Sequence, residues 1–405
     1  MIRLDDIKSV FIRDVRPFVR ETPVYRGRGV SSFTNCPDLF FKMENLQRTG
    51  SFKIRGACAR VAALTPDERK RGVVTASAGN HAQGLALAAS EGRVSAKVVM
   101  PRTASNAKVE ATRAYKAEVI LDGDNFDEAV AIAKAIADAE GRIFISAYDD
   151  DLIITGQASI GLELLEQLPD IDTVILPIGG GGLFAGVACA LKEMKPGLRV
   201  IGVQSIGADS AAISFKAGKL IHRSLPIDTI ADGIAIKSPS PRTFQYIQRY
   251  ADDVVTVSDD AIAESVLLLL TRMKVLVEPS GAASLAALLE HGKIGFGRTV
   301  SLLCGGNMDL KLLADIIERG MIRQGRYLHI FTSVRDKPGG LATLLEAVAV
   351  AGGNIMHVNH NRLASDVHYG ATGVELLVET RGAEHAAAIE RHLVEHGYPI
   401  RSIDA

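Results

Sequence analysis

Short apolar runs alternate with longer stretches of helical periodicity through most of this 405-residue chain. No other feature narrows the possible folds as sharply. Such alternation reads as strands joined by helices, an α/β arrangement built on parallel sheets. Strands are expected at 39–43, 72–75, 96–100, 118–121, 172–177, 200–204 and 299–304. Helices are expected at 51–64, 80–90, 108–115, 125–139 and 183–194, the first of them entered at Ser51. Near 320–326 the texture changes. From there the order reads strand 327–334, turn 336–340, helix 341–351, strands 354–361 and 373–379, helix 383–395 and a last strand 400–403. That is a β-α-β-β-α-β, ferredoxin-like unit of about eighty residues. The expected division is a larger α/β part over 1–320 and a smaller part over 321–405.

The length alone implies two or three domains. Basic residues number 46 and acidic residues 47, so no electrostatic footprint for nucleic acid or an anionic membrane is expected. Cys36, Cys58, Cys189 and Cys304 are scattered and form no C-x-x-C pair. That pattern fits a reducing cytoplasm and argues against a disulfide framework or a zinc site. The first residues, Met1-Ile2-Arg3-Leu4-Asp5-Asp6, lack the apolar core of a signal peptide. The longest apolar stretch, 174–191, is interrupted by Pro177 and five glycines, so it cannot span a bilayer as a helix.

Three segments carry chemistry. Thr49-Gly50-Ser51-Phe52-Lys53-Ile54-Arg55-Gly56 places one lysine at a helix start among small and polar residues. Ser77-Ala78-Gly79-Asn80-His81 lies between an expected strand and an expected helix. Gly179, Gly180, Gly181 and Gly182 follow an apolar strand and precede another helix. An aldehyde cofactor needs a lysine amine for its Schiff base, with the amine made less basic by burial and nearby positive charge. A phosphate needs exposed backbone N–H groups, which glycine lets approach closely. A carboxylate suits the N–H groups at a helix N-terminus, which in the second segment would follow Ser77. Together these are the parts that hold pyridoxal 5′-phosphate.

Each segment also has a plainer reading. Lys53 alone would be a solvated lysine, and Phe52 is either a ring-packing neighbour or an ordinary core residue. Ser77 and Asn80 could serve as helix caps. His81 receives no chemical role. The glycines lack the G-K-[ST] of a nucleotide loop and the G-x-G-x-x-G of a dinucleotide site. Four in a row exceed what a tight turn needs, and a phosphate monoester explains the excess. Cys304, in Cys304-Gly305-Gly306-Asn307, is either a small buried residue or a weak partner for a pyridine nitrogen. Such a partner would leave that nitrogen unprotonated and favour β-elimination over transamination. Glu278 is either a helix-dipole contact or a pocket residue. Asp232-Gly233 reads as a turn.

At these residues the chain resembles the threonine dehydratases (threonine ammonia-lyases). These belong to the fold-type II, tryptophan-synthase-β-like pyridoxal phosphate enzymes. The resemblance covers roughly 1–320 and rests on the segments above. It also rests on Lys42-Met43-Glu44-Asn45-Leu46-Gln47, Gly156-Gln157, Gly161-Leu162-Glu163 and Ala231-Asp232-Gly233-Ile234-Ala235. The last eighty or so residues resemble an ACT domain, with Asp336-Lys337-Pro338-Gly339-Gly340-Leu341 at the first turn and Gly353-Asn354-Ile355 before the second strand. The resemblance implies two α/β subdomains with the cofactor between them. Lys53 would carry the cofactor and act as base at Cα, and Asn80 would bind its 3′-oxygen. Gly179 to Gly182 would hold its phosphate, and Phe52 and Cys304 would flank its ring. Ser77, Ala78, Gly79, Asn80 and His81 would surround the substrate carboxylate.

The implied reaction converts L-threonine to 2-oxobutanoate and ammonia in the cytoplasm, with L-serine as a poorer substrate. A homodimer or homotetramer is expected. The ACT-like part either binds an effector such as isoleucine or valine, or serves only assembly. Cation-binding members tend to carry acids after Gly202-Val203; here Gln204 and Ser210 stand there, so no metal is expected. Serine racemases of the family carry a serine at the position of Ala78, which disfavours racemisation here. A β-replacement synthase, a racemase and a non-catalytic amino-acid sensor remain as alternatives.

Overall fold

In the computed structural model, residues 1–403 are described apart from 224, 293 and 363–366. The chain divides into two compact units, Met1–Asp309 and Leu310–Ala405. Helix Leu310–Arg323 falls in the second unit, whereas the sequence texture changes only near 320–326.

The first unit is built on two sheets. Strands Thr173–Pro177 and Thr299–Leu302 are buried at every position. Apolar runs without alternation suit a parallel sheet covered on both faces. They lie at the centre of a six-stranded sheet. Its order is Val24–Arg26, Leu39–Lys42, Thr299–Leu302, Thr173–Pro177, Arg199–Ser205, Asp253–Val257. All neighbours are parallel except Val24–Arg26, which runs antiparallel to Leu39–Lys42. A second, wholly parallel sheet has the order Glu118–Leu121, Ala96–Met100, Val73–Ala76, Ile143–Phe144. Each sheet has its own hydrophobic core, one around Val174, Phe184 and Val187, the other around Val73, Leu85 and Val98.

Every strand expected in this unit is present. Three strands were not expected: Val24–Arg26 and Ile143–Phe144, whose three and two residues carry no readable period, and Asp253–Val257. Helix Asp151–Gln167 escaped the sequence for a different reason. Thirteen of its 17 residues are buried, from Ile153 to Leu165, so no polar face marks the helical period. Its start is signalled only by Asp150, whose carboxylate accepts from the N–H groups of Leu152 and Ile153.

This helix meets helix Lys53–Ala62 across a buried ion cluster. The Arg55 guanidinium grips two carboxylates, each through two hydrogen bonds: Glu44 at 2.8 and 2.8 Å, and Glu163 at 2.7 and 2.8 Å. Lys42 Nζ adds 2.8 Å to Glu163 and 2.7 Å to the Thr22 carbonyl. Two cations thus face two anions with at most 2% exposure. A buried charge is tolerable only when so paired. The Lys42–Gln47 segment singled out in the sequence therefore does structural work: it supplies half of this cluster and anchors the stretch that ends in Lys53.

In the second unit, helix Leu310–Arg323 precedes strand Tyr327–Arg335. The rest of the unit follows as helix Gly340–Val350, strands Asn354–Asn361 and Ala371–Glu379, helix Ala383–Glu395 and strand Arg401–Ser402. The antiparallel sheet has the order 354–361, 371–379, 327–335, 401–402. Tyr327–Arg335 alternates between buried and less buried positions, so only one face of the sheet packs on a core, around Ile330, Leu344 and Leu376. Among the described residues no helix is long and apolar enough to cross a membrane.

Candidate functional site

The first unit contains a cavity of about 310 Å³, the size of a small-molecule site. Its wall includes every residue that the sequence put forward: Phe52, Lys53, Ser77, Ala78, Gly79, Asn80, His81, the four glycines Gly179 to Gly182, and Cys304. These come from distant parts of the chain and from both sheets.

Lys53 opens its helix because the preceding segment is stitched to the end of strand Thr299–Leu302. Phe52 N–H donates to the Cys304 carbonyl at 3.2 Å and Gly306 N–H to the Gly50 carbonyl at 2.8 Å. Gly50 has φ +70° and no room for a side chain, since a Cβ would lie 2.6 Å from Asn307 Oδ1. The Lys53 amine donates to the Ala147 carbonyl at 3.1 Å and sits 5.1 Å from the centre of the Phe52 ring. Burial lowers its pKa to about 8. The positive charge expected to assist does not: the neighbouring ionisable groups, Cys304 and Glu278, oppose the shift. Phe52 lines the cavity and also belongs to the core.

The Ser77–His81 turn leads from strand Val73–Ala76 into helix Asn80–Glu91. No side chain caps that helix. The Ser77 hydroxyl instead accepts from Gly79 N–H at 3.2 Å. The capping explanation of these residues therefore falls away, and the first N–H groups of the helix remain suited to an anion. His81 is buried, with Nε2 3.4 Å from the Ile145 carbonyl. Burial, with a contribution from Lys53, pushes its pKa down to about 3, so the ring is neutral at physiological pH.

Helix Gly182–Met194 likewise begins without a side-chain cap. Gly181 has φ +91°, a conformation that side chains resist. Packing also restricts the run. A Cβ on Gly180 or Gly182 would stand 2.4 or 2.9 Å from Tyr148, and one on Gly181 would stand 2.8 Å from Thr243. Close packing thus restricts Gly180, Gly181 and Gly182 whether or not a phosphate binds there. What still fits a phosphate is the uncapped N-terminus that this packing leaves facing the cavity.

Cys304 is buried, and its thiol donates to the Ser280 carbonyl at 3.6 Å. Burial pushes the thiol pKa far up, so it stays protonated. Two buried polar atoms of the cavity residues, Ser280 Oγ and His81 Nδ1, have no partner among the described residues. A lysine of lowered basicity, uncapped helix starts and polar atoms awaiting partners are a donor set that fits pyridoxal phosphate.

Several wall residues were not legible beforehand. Tyr148 lies in a loop without a motif, and Ala147 acts through its backbone carbonyl, which no side chain advertises. Glu278 and Asp232 were ambiguous in the sequence; both line the cavity. Burial raises the Glu278 pKa to about 7 and the nearby Asp232 adds to the effect.

The family model for pyridoxal-phosphate dependent enzymes matches residues 15–305. An L-threonine ammonia-lyase of Thermotoga maritima is 43% identical over 403 residues, covering all of both chains. Among solved structures, the processed threonine deaminase isoform 2 of Solanum lycopersicum aligns with TM-score 0.74 and 36% identity, over 78% of this chain and 92% of that one. Maize serine racemase aligns with TM-score 0.73 and 36% identity, over 80% of this chain and 98% of that one.

Proposed function

We infer the reaction from one premise: the chain belongs to the family of pyridoxal-phosphate dependent enzymes. It is a threonine ammonia-lyase, converting L-threonine to 2-oxobutanoate and ammonia. The observation that carries this reading is the Lys53 amine, of lowered basicity, on the wall of one cavity that also exposes two uncapped helix starts.

When bound, pyridoxal phosphate supplies the electron withdrawal that makes the Cα proton of an amino acid acidic. The uncapped start at Gly182 would hold its phosphate, and the Asn80 amide would meet its 3′-oxygen. Phe52 would flank the ring. The Cys304 thiol, which stays protonated, would be a neutral partner for the ring nitrogen. The Ser77–His81 turn would orient the substrate carboxylate with backbone N–H groups. Lys53 would anchor the cofactor and then take the Cα proton. With a pKa of about 8, roughly a tenth of this amine is uncharged at pH 7, against less than about one part in a thousand for an ordinary lysine. The substrate hydroxyl leaves with a proton as water. The enamine set free tautomerises and hydrolyses to the keto acid and ammonia.

L-Serine, smaller by one methyl, would react more slowly to give pyruvate. Racemisation needs a second acid/base group on the opposite face of Cα, and Ala78 offers none there. The second unit reads as an ACT domain that binds an amino acid such as isoleucine or valine and couples it to catalysis. Its βαββαβ order and the Gly339 turn, at φ +86°, support this. A homodimer or homotetramer in the cytoplasm completes the proposal, and four free, buried cysteines agree with that compartment.

The test is the formation of 2-oxobutanoate from L-threonine by the purified protein, with Lys53→Ala alongside. Wild-type turnover that falls by several orders of magnitude in the variant is expected. Absence of the keto acid from a cofactor-loaded wild type would reject the lyase reading in favour of β-replacement.

A further inference from the structure

One buried carboxyl in the cavity wall has no part in the reaction as described. Glu278 precedes helix Pro279–His291, is 5% exposed, and accepts from Asn80 Nδ2 at 2.6 Å. The Asn80 amide is held from its other side as well. Asn307 Nδ2 donates to the Thr49 carbonyl at 2.9 Å and, through its second hydrogen, to Asn80 Oδ1. A backbone carbonyl can only accept, so the Asn307 nitrogen must face it. The atom of Asn80 that meets Asn307 is then the oxygen, and its nitrogen must face Glu278. One N–H of Asn80 is thus committed to Glu278 and one remains for a ligand in the cavity. The carboxylate is itself tightly enclosed. Glu278 N–H donates to the Gly305 carbonyl at 3.0 Å, and a Cβ on Gly305 would lie 2.1 Å from Glu278 Oε1.

We propose that Glu278 is a positioning residue that holds the Asn80 amide and, through it, couples its own charge to the ring oxygen of the cofactor. This rests on Asn80 meeting that oxygen, as argued above. The charged groups around Glu278 are Asp232, Lys108 and Lys53, with the Cys304 thiol beside it. Lys108 is paired with Asp232 at 3.0 Å; it and Lys53 favour the Glu278 carboxylate, but burial and Asp232 outweigh them. Among the described residues no arginine or lysine is bonded to Glu278 in the way that Arg55 grips Glu44. Its charge, present above about pH 7 where the carboxyl ionises, is therefore poorly compensated and can act along the Asn80 hydrogen bond. An anion one hydrogen bond away opposes loss of the proton shared at the cofactor's ring oxygen.

The test follows the visible absorbance of the cofactor-loaded full-length enzyme from about pH 5 to about pH 9, a range that spans the carboxyl and amine titrations involved. Cofactor affinity of the apoprotein is measured in parallel. Glu278→Gln should move the spectral midpoint to lower pH by about one unit or more and weaken cofactor binding severalfold. In the Asn80→Ala background the same substitution should shift nothing further, because the connecting amide is gone. If Glu278→Gln titrates like the wild type while Asn80→Ala does not, the inference is overturned and the role of Asn80 survives. If Asn80→Ala also matches the wild type in spectrum and cofactor affinity, the reading of Asn80 itself falls. A wild-type spectrum that stays flat across the range also overturns the coupling. Should Glu278→Gln not fold, Glu278→Asp carries the test. Its shorter carboxylate loosens the contact, so the midpoint should move in the same direction, and an unchanged midpoint counts against the proposal.

Discussion

Lys53 and Arg55 stand two residues apart on one helix, and the protein treats their charges in opposite ways. Arg55 is wholly buried yet grips two carboxylates, so the Glu44 and Glu163 charges outweigh its burial and keep it firmly protonated. Among the described residues the Lys53 amine hydrogen-bonds to a single carbonyl, that of Ala147, and burial pulls its pKa down to about 8. The difference separates a cation kept for structure from one prepared for chemistry. Pairing preserves charge where the fold needs rigidity; withholding a partner makes the amine nucleophilic where the reaction needs it.

The contrast breaks most severely at Arg55. Replacement by methionine strands two buried carboxylates with Lys42 as their one remaining cation in the cluster. A loss of about 3–5 kcal/mol of stability is expected, read from urea unfolding of the apoprotein. A loss under about 1 kcal/mol would show that the cluster adds little beyond its packing.

The opposite perturbation is at Lys53, in the pH dependence of apoprotein stability. Its folded pKa lies below its unfolded value of 10.5, so between about 8 and 10.5 the unfolded chain binds more protons and stability rises with pH. Below about 8 the full penalty of the charged amine applies. Lys53→Met removes it and should stabilise the apoprotein at pH 7 by at most about 3 kcal/mol, reduced by water in the cavity. The gain should shrink toward pH 10.5. Melting curves of both proteins across that range decide the matter, and a constant difference would mean that packing, not charge, is responsible.

A smaller effect should follow at the glycine loop. Gly181→Ala forces a side chain into positive φ and against Thr243. A cost of about 1–3 kcal/mol is expected, with weaker cofactor binding. A variant that keeps wild-type cofactor affinity would show that the loop adjusts and that phosphate binding does not depend on its shape.

Much of this molecule could be read in advance, and the reasons differ from element to element. Thr173–Pro177 was legible because an unbroken apolar run between turn residues has few alternatives. The segment around Lys53 was legible because small residues, serines and one lysine seldom gather before a helix without cause. Helix Asp151–Gln167 was not, since burial on all sides erased its period. Nor was Tyr148, whose role is to press on glycines more than thirty residues away. The four glycines were noticed but explained only in part, because their neighbours could not be seen.

What the sequence determined by itself was the alternation that yields parallel sheets, the lysine, and the turns that begin helices with exposed N–H groups. These depend on local pattern and on chemistry that each residue carries with it. The tertiary structure alone decided which charges are paired and which are left without a counterion. It set Arg55 between two carboxylates and Lys53 beside a carbonyl, and it placed Glu278 against Asn80, 198 positions away in the chain. Basicity, hydrogen-bond direction and close packing arise from neighbours brought together by folding, and a linear order of residues does not contain them.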